Sequence, residues 1–205
     1  RQLQQLIKQA EQDSRVLKML IDDLVVDMKG VLLLPFATIL NIFPRMIRDI
    51  AGEAGKEAVL EITGSEIEID KRILEEIKDP LIHLLRNAVD HGIEDPEQRR
   101  TNGKPKRGTI ELVISAVRGN RVEILLRDDG RGISPDHVKQ KALRLGLVSE
   151  DRAQHLAEDE ALRLVFLSGV STSPIVTEIS GRGLGLAIVS DTVKRLGGRL
   201  SLTSE

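Results

Sequence analysis

DPLIHLLRNAVDHGIE, residues 79–94, decides the reading of this chain. His83, Asn87 and His91 recur every fourth position, and in a helix of about 3.6 residues per turn such positions stack into one ridge. Leu81, Ile82, Leu84, Leu85, Ala88 and Val89 cover the other side, so the segment reads as a core helix with one polar ridge turned towards a site. The Asn87 amide oxygen, flanked by an imidazole one turn away on either side, suits Mg²⁺, which keeps most of its waters and borrows phosphate oxygens. A buried His and Asn satisfied by backbone partners fits the same pattern.

Two further segments weigh against that plainer alternative. RVEILLRDDGRGI, residues 121–133, runs from a strand-like stretch into Asp128, Gly130 and Gly132. A D-x-G-x-G turn lets backbone approach a flat ligand where a Cβ would block it. SGRGLGLAIVSDTVKRLGG, residues 180–198, opens with Gly181, Gly183 and Gly185 ahead of an amphipathic stretch containing Leu186, Ala187, Val189, Val193 and Leu196. A glycine loop at a helix start points free N–H groups and the positive dipole end at an anion. No strand–Gly loop–helix unit with a ribose-binding acid is present, and no G-K-[ST] occurs, so neither the Rossmann nor the Walker reading applies.

The order of these segments resembles the GHKL ATPase superfamily and, within it, the kinase core of the CheA-type chemotaxis histidine kinases. The resemblance runs from about Val31 to the end through FPRMIRDIAGEAGK, DPLIHLLRNAVDHGIED, GKPKRGT, DDGRGI, VFLSGVSTS and SGRGLGLAIV. It implies an α+β fold, a two-layer α/β sandwich of the Bergerat ATP-binding kind, preceded by a long dimerisation-type helix. It also implies ATP and Mg²⁺ as cofactors.

Residue by residue, the resemblance implies that Asp128 accepts a hydrogen bond from the adenine amine, with Asp129 the lesser candidate. Asn87 then stands as the Mg²⁺ ligand, with His83 and His91 as further metal candidates. His83 holds the position where many superfamily members carry a nucleophile-polarising Glu, and imidazole titrates near neutrality. Asp90 and His91 fall in the same box, beside nucleotide. Gly130, Gly132 and Ile133 are further cofactor-binding candidates, and Lys141 falls where a phosphate-contacting lysine stands. One turn earlier the family often has lysine and this chain has His137, which puts that contact in doubt. Ser171 and Thr172 offer hydroxyls beside the phosphates, while Val170 departs from an aromatic usual in that box. Gly181, Arg182, Gly183, Leu184, Gly185 and Leu186 form the second phosphate loop, and polar Ser173–Ser180, with Pro174, reads as a lid.

Composition bounds the rest. Net charge is −2, so nothing points to nucleic acid or an anionic membrane. No cysteine occurs, which removes disulfides and thiolate metal sites and agrees with a cytoplasmic setting. No run of 18 apolar residues is present, so membrane insertion is not expected. With no Trp or Tyr and three Phe, base recognition rests on hydrogen bonds and aliphatic contacts.

Residues 1 to about 34 read as helix with a seven-residue repeat. Leu3, Ala10, Leu17, Leu24 and Val31 fall at one core position, and Leu6, Asp13, Leu20, Asp27 and Leu34 at the other. Eight of these ten are apolar, which suits a homodimer seam. A kinked helical continuation is expected past Pro35 and Pro44 to Gly52 or Gly55. The expected division is a helical dimerisation and linker segment over 1–54 and an ATP-binding domain over 55–205. In the second part, strands are expected at Ala58–Thr63 and Glu66–Ile69, a helix over Lys71–His91 bent at Pro80, and a loop over 92–108. A hairpin of Thr109–Val117 and Arg121–Arg127 turns at Gly119-Asn120. Helices are expected over 135–145, 158–167 and up to about 196, and a strand beginning at Leu200–Thr203, inside which the chain stops.

The expected activity is transfer of the ATP γ-phosphoryl to a histidine on a separate phosphotransfer domain, since none of the four histidines precedes residue 83. A response regulator and, through a missing C-terminal domain, a coupling protein and chemoreceptor array are the implied partners. The alternatives are a GHKL ATPase of the gyrase, chaperone or mismatch-repair kind, which places Glu at the His83 position, and a non-catalytic ATP-sensing scaffold.

Overall fold

The computed structural model describes residues 14–21, 33–119, 121–167 and 185–204. A helix covers residues 14–21 (α1), and every residue in it is exposed. Next come β1 (Leu33–Pro35), α2 (Ala37–Leu40), α3 (Phe43–Glu53), β2 (Ala58–Thr63), β3 (Glu68–Asp70) and α4 (Lys71–Asn87). A single π-turn, Ala88–Gly92, prolongs α4 and leads to α5 (Pro96–Thr101). The hairpin β4 (Gly108–Val117) and β5 (Arg121–Asp128) follows. Then come α6 (Pro135–Arg144), α7 (Glu150–His155), α8 (Glu158–Arg163), a 3₁₀ turn at Leu164–Phe166 and α9 (Gly185–Arg195).

β2, β4 and β5 form a mixed sheet in that order, β2 parallel to β4 and β4 antiparallel to β5. Alternation decides the faces. Ile110, Leu112 and Ile114 are buried on one face of β4, and Val122, Ile124 and Leu126 pack against the same core. The helices supply the other half. α4 buries Leu74, Ile77, Leu81 and Leu85, a 3–4 spacing that gives one apolar stripe, and α3 buries Phe43, Ile47, Ile50 and Ala51. α4 starts where the Asp70 carboxylate accepts from the Arg72 N–H at 2.8 Å, and it runs through the buried Pro80 without ending.

Three expectations need correction. Residues 33–35 are strand, not helix: β1 pairs antiparallel with β3, and the Phe36 N–H continues the contact by donating to Ile67 O at 3.0 Å. Residues 92–108 are not all loop, because Asp95 caps α5 by accepting from Glu97 and Gln98 N–H groups at 3.1 and 2.9 Å. Residues 200–203 join no sheet among the described residues. Phe36, Leu40, Phe43, Ile47 and Ile50 share one core with β2, β4 and α4, across the boundary expected near residue 55.

Candidate functional site

The site forms where the C-terminal end of α4 meets the D-x-G loop after β5. Asp128 stands opposite Ile110 and continues the inward row Val122, Ile124, Leu126. Strand parity thus carries a carboxylate to the core-facing edge of the sheet, half-buried, while its neighbour Asp129 turns elsewhere. One Asp128 oxygen accepts from the Gly130 N–H at 3.0 Å. Burial pushes this carboxyl up, with the Gly130 N–H opposing it and the charges of Asp129 and Glu94 adding to it.

Two glycines make the approach. A Cβ on Gly92 would stand 2.6 Å from Asp128 Oδ1, and a Cβ on Gly130 would stand 2.2 Å from the Gly92 carbonyl. No real side chain fits either gap, so the π-turn and the D-x-G loop pass backbone to backbone. Arg131 fastens them: its N–H donates to Gly92 O at 3.0 Å and its Nε to His91 O at 2.9 Å. Gly132 takes a left-handed φ of 69° and turns the chain towards α6.

On the helix side, His83 and Asn87 lie on α4 and His91 in the π-turn, and all three are half-buried. Burial lowers the pKa of His83, helped by Arg86 and His91 and opposed by Asp90. Burial likewise lowers His91, where Asp90 opposes and the charges of Arg131, Lys56 and Lys141 assist. Burial thus favours the neutral form of both imidazoles. Lys56 ties the π-turn from below, donating from Nζ to Val89 O at 2.7 Å and Asp90 O at 2.8 Å. Burial lowers its pKa, the nearby Asp90 resisting.

Ile133 and Leu186 pack against buried Val138 and Val165, which joins α6, the 3₁₀ turn and α9. Lys141 lies on α6, within electrostatic reach of His91. Gly185 is the first residue of α9. Ser171, Thr172, Gly181, Arg182, Gly183, Leu184 and the lid segment 173–180 lie outside the described residues.

The arrangement contains a residue that reading by type passes over. Arg99, on α5, has no exposed side-chain surface. Its guanidinium donates to Glu94 at 3.2 Å, to both Asp129 oxygens at 3.0 and 2.8 Å, and to Pro105 O at 2.6 Å. Lys104 adds donations to Glu94 at 2.9 Å, Asp129 O at 3.0 Å and Gly130 O at 2.7 Å. Burial would raise the Glu94 carboxyl, but Lys104, its own N–H and the Arg99 charge outweigh burial and hold it below the usual carboxylate range. The signal in the sequence is Asp95-Pro96-Glu97, a helix start that turns Arg99 inward while Arg100 stays exposed.

Among the described residues no group of three or more His, Asp or Glu side chains is placed to hold a metal ion. Asn87 would offer one amide oxygen, with His83 four residues before it and His91 four residues after it. That fits a cation completed by water and phosphate oxygens rather than a protein cage.

A mixed sheet with helices on one face and a carboxylate overlooking a two-glycine crossing is the layout of a nucleotide-binding ATPase domain. The histidine kinase-, DNA gyrase B-, and HSP90-like ATPase family matches residues 76–205, and the chain belongs to it. Within that family its likeness is to the CheA-type kinases. It is 45% identical over 184 residues to chemotaxis protein CheA of Halobacterium salinarum, covering 90% of this chain and 27% of that protein. To the sensor histidine kinase CheAY of Helicobacter pylori it is 43% identical over 171 residues, covering 83% of this chain and 21% of that one. For chemotaxis protein CheA of Bacillus subtilis the identity is 42% over 173 residues, covering 84% and 25%. The chain thus spans about a quarter of the length of these relatives.

Proposed function

We propose that this chain is the ATP-binding catalytic core of a CheA-like protein-histidine kinase, which transfers the γ-phosphoryl of ATP to a histidine on a separate phosphotransfer domain. The observation that carries the reading is Asp128, half-buried at the sheet edge and overlooking the Gly92–Gly130 crossing. One of its oxygens holds the Gly130 N–H, and the carboxylate retains capacity to accept from an adenine amine. Ile133 and Leu186 supply the aliphatic wall that a chain without Trp or Tyr needs.

From there the α4 ridge runs towards the phosphates. Asn87 would hold Mg²⁺ together with phosphate oxygens, and the ion would neutralise charge on the transferring group. His91, Lys56, Arg131 and Lys141 gather near the π-turn, three cations around an imidazole, which suits a polyphosphate. Phosphoryl transfer needs mainly alignment and charge stabilisation. His83, whose burial favours the neutral form, would accept a proton from the incoming imidazole or orient it. Ser171, Thr172 and the Gly181–Leu186 loop would complete the phosphate cradle, under the lid at 173–180.

The whole protein would work as a cytoplasmic homodimer through the 1–34 seam, deliver phosphoryl groups to a response regulator, and couple to chemoreceptors through a domain outside this chain. The test is incubation with labelled Mg-ATP, with and without a phosphotransfer domain from the same parent protein. The added domain should gain acid-labile phosphate while this chain stays unlabelled. Stoichiometric labelling of His83 or His91, or hydrolysis with no transfer, would overturn the reading.

A further inference from the structure

We infer that Arg99, backed by Lys104, is a positioning residue for base recognition: it sets where Asp128 stands, and so sets the preference for an adenine nucleotide over a bare polyphosphate. The inference rests on the reading of Asp128 given above. Asp129 follows Asp128 directly and cannot move without it. Both Asp129 oxygens are forked by the Arg99 guanidinium, at 3.0 and 2.8 Å, and one of them also accepts from the Thr109 N–H at 3.0 Å. The carbonyls of Asp129 and Gly130 are held by Lys104 Nζ at 3.0 and 2.7 Å. Glu94, buried two residues after Gly92, joins both cations.

The network thus grips the two sides of the Gly92–Gly130 crossing, the π-turn through Glu94 and the D-x-G loop through Asp129. Asp128 lies between those two grips. No side-chain atom of Arg99 reaches solvent, so its guanidinium is spent on Glu94, Asp129 and the carbonyls of Asp129, Pro105 and Arg107. Lysine cannot copy this, because one ammonium does not span a carboxylate fork together with carbonyls on other sides. An ion network this deep contributes little net stability over apolar packing, but it fixes geometry. Geometry is what a carboxylate reading one amine requires.

The experiment compares affinity for ATP with affinity for inorganic tripolyphosphate, by calorimetry, in the unmutated protein and in folded Arg99→Lys, Asp129→Asn and Lys104→Met. Asp129 and Lys104 keep partly exposed side chains, 40% and 32%, so their variants carry the test if Arg99→Lys fails to fold. The expected result is that ATP binding falls about tenfold to a hundredfold while tripolyphosphate binding is unchanged. Arg99→Gln, measured beside them, should lose more ATP affinity than Arg99→Lys, which keeps the charge but not the fork. A variant that loses both ligands in parallel, or neither, overturns the positioning role. Equal affinities for ATP and tripolyphosphate in the unmutated protein would instead overturn the reading of Asp128 itself.

Discussion

Gly130→Ala tests the backbone crossing on which the site depends. The added Cβ would lie 2.2 Å from the Gly92 carbonyl carbon and oxygen, against 3.4 Å for ordinary contact, so the two backbones must part by about 1.2 Å (3.4 − 2.2). That gap removes the Arg131 N–H to Gly92 O bond at 3.0 Å and disturbs the Gly130 N–H to Asp128 bond at 3.0 Å. Two such bonds at about 1 kcal/mol each, plus about 1–2 kcal/mol of local strain, give roughly 3–4 kcal/mol of destabilisation. In a chain of this size, at about 2–4 °C per kcal/mol, that lowers the unfolding midpoint by about 6–16 °C. ATP affinity should fall with it, since Asp128 moves relative to the π-turn. Gly52→Ala is the control: it lies in α3 with nothing within 4 Å, and helix propensity predicts a gain of about 0.5–1 kcal/mol with binding unchanged. Calorimetry and thermal unfolding of both variants decide the matter. Gly130→Ala with wild-type ATP affinity and midpoint would refute the close approach.

Asp128→Asn should weaken ATP binding and narrow an ATP-over-GTP preference that we expect to be about 30- to 1,000-fold, because opposing a carboxylate to the guanine carbonyl costs roughly 2–4 kcal/mol; equal ATP and GTP affinities in the unmutated protein would contradict it. The same variant should unfold at a higher temperature at pH 7 without nucleotide. The Asp128 pKa is raised by burial, so its contribution favours folding below about pH 3.8 and is lost as pH rises through the raised folded value, leaving a neutral-pH cost that asparagine lacks. His83 and His91 have lowered pKa values, so their contribution is present above pH 6.5 and is lost as pH falls through the folded values. Urea unfolding between pH 7.5 and about pH 5 should accordingly show falling stability, and His83→Gln should flatten that slope. Leu17→Asp with Leu20→Asp should yield monomers in sedimentation without loss of ATP binding, since both side chains are 60% exposed on α1 and burying each contributes roughly 1–2 kcal/mol.

What the sequence discloses follows from how local the deciding force is. The β4–β5 hairpin and α4 are legible because each carries its own period, two in one case and 3.6 in the other. Asp128 continues that period, since counting back by twos from it meets Leu126, Ile124 and Val122, but it is picked out in the sequence by the family resemblance of the D-x-G-x-G segment. β1 is not: Leu33 and Leu34 continue an apolar helical pattern, and what makes them strand is the chain at Glu68–Asp70, more than thirty residues away. Leu200–Thr203 shows the converse, a strand-like composition with no ladder among the described residues. Pairing, and not propensity, decides both.

Arg99 marks the harder limit. It stands beside Arg100 in a polar, glycine- and proline-punctuated stretch where charged residues are normally solvated, and composition assigns the two arginines the same fate. One is wholly buried and the other exposed. The difference arises from the Asp95 cap, which sets the phase of a six-residue helix so that position 99 points at Asp129 and Glu94. A burial this complete is tolerable only because two carboxylates and several carbonyls were already gathered there, by the hairpin on one side and the end of α4 on the other. Glu94, Pro105 and Arg107 lie within eight residues of Arg99, but Asp129, 30 residues on, is brought by the end of β5, so the full role of Arg99 depends on a tertiary pairing.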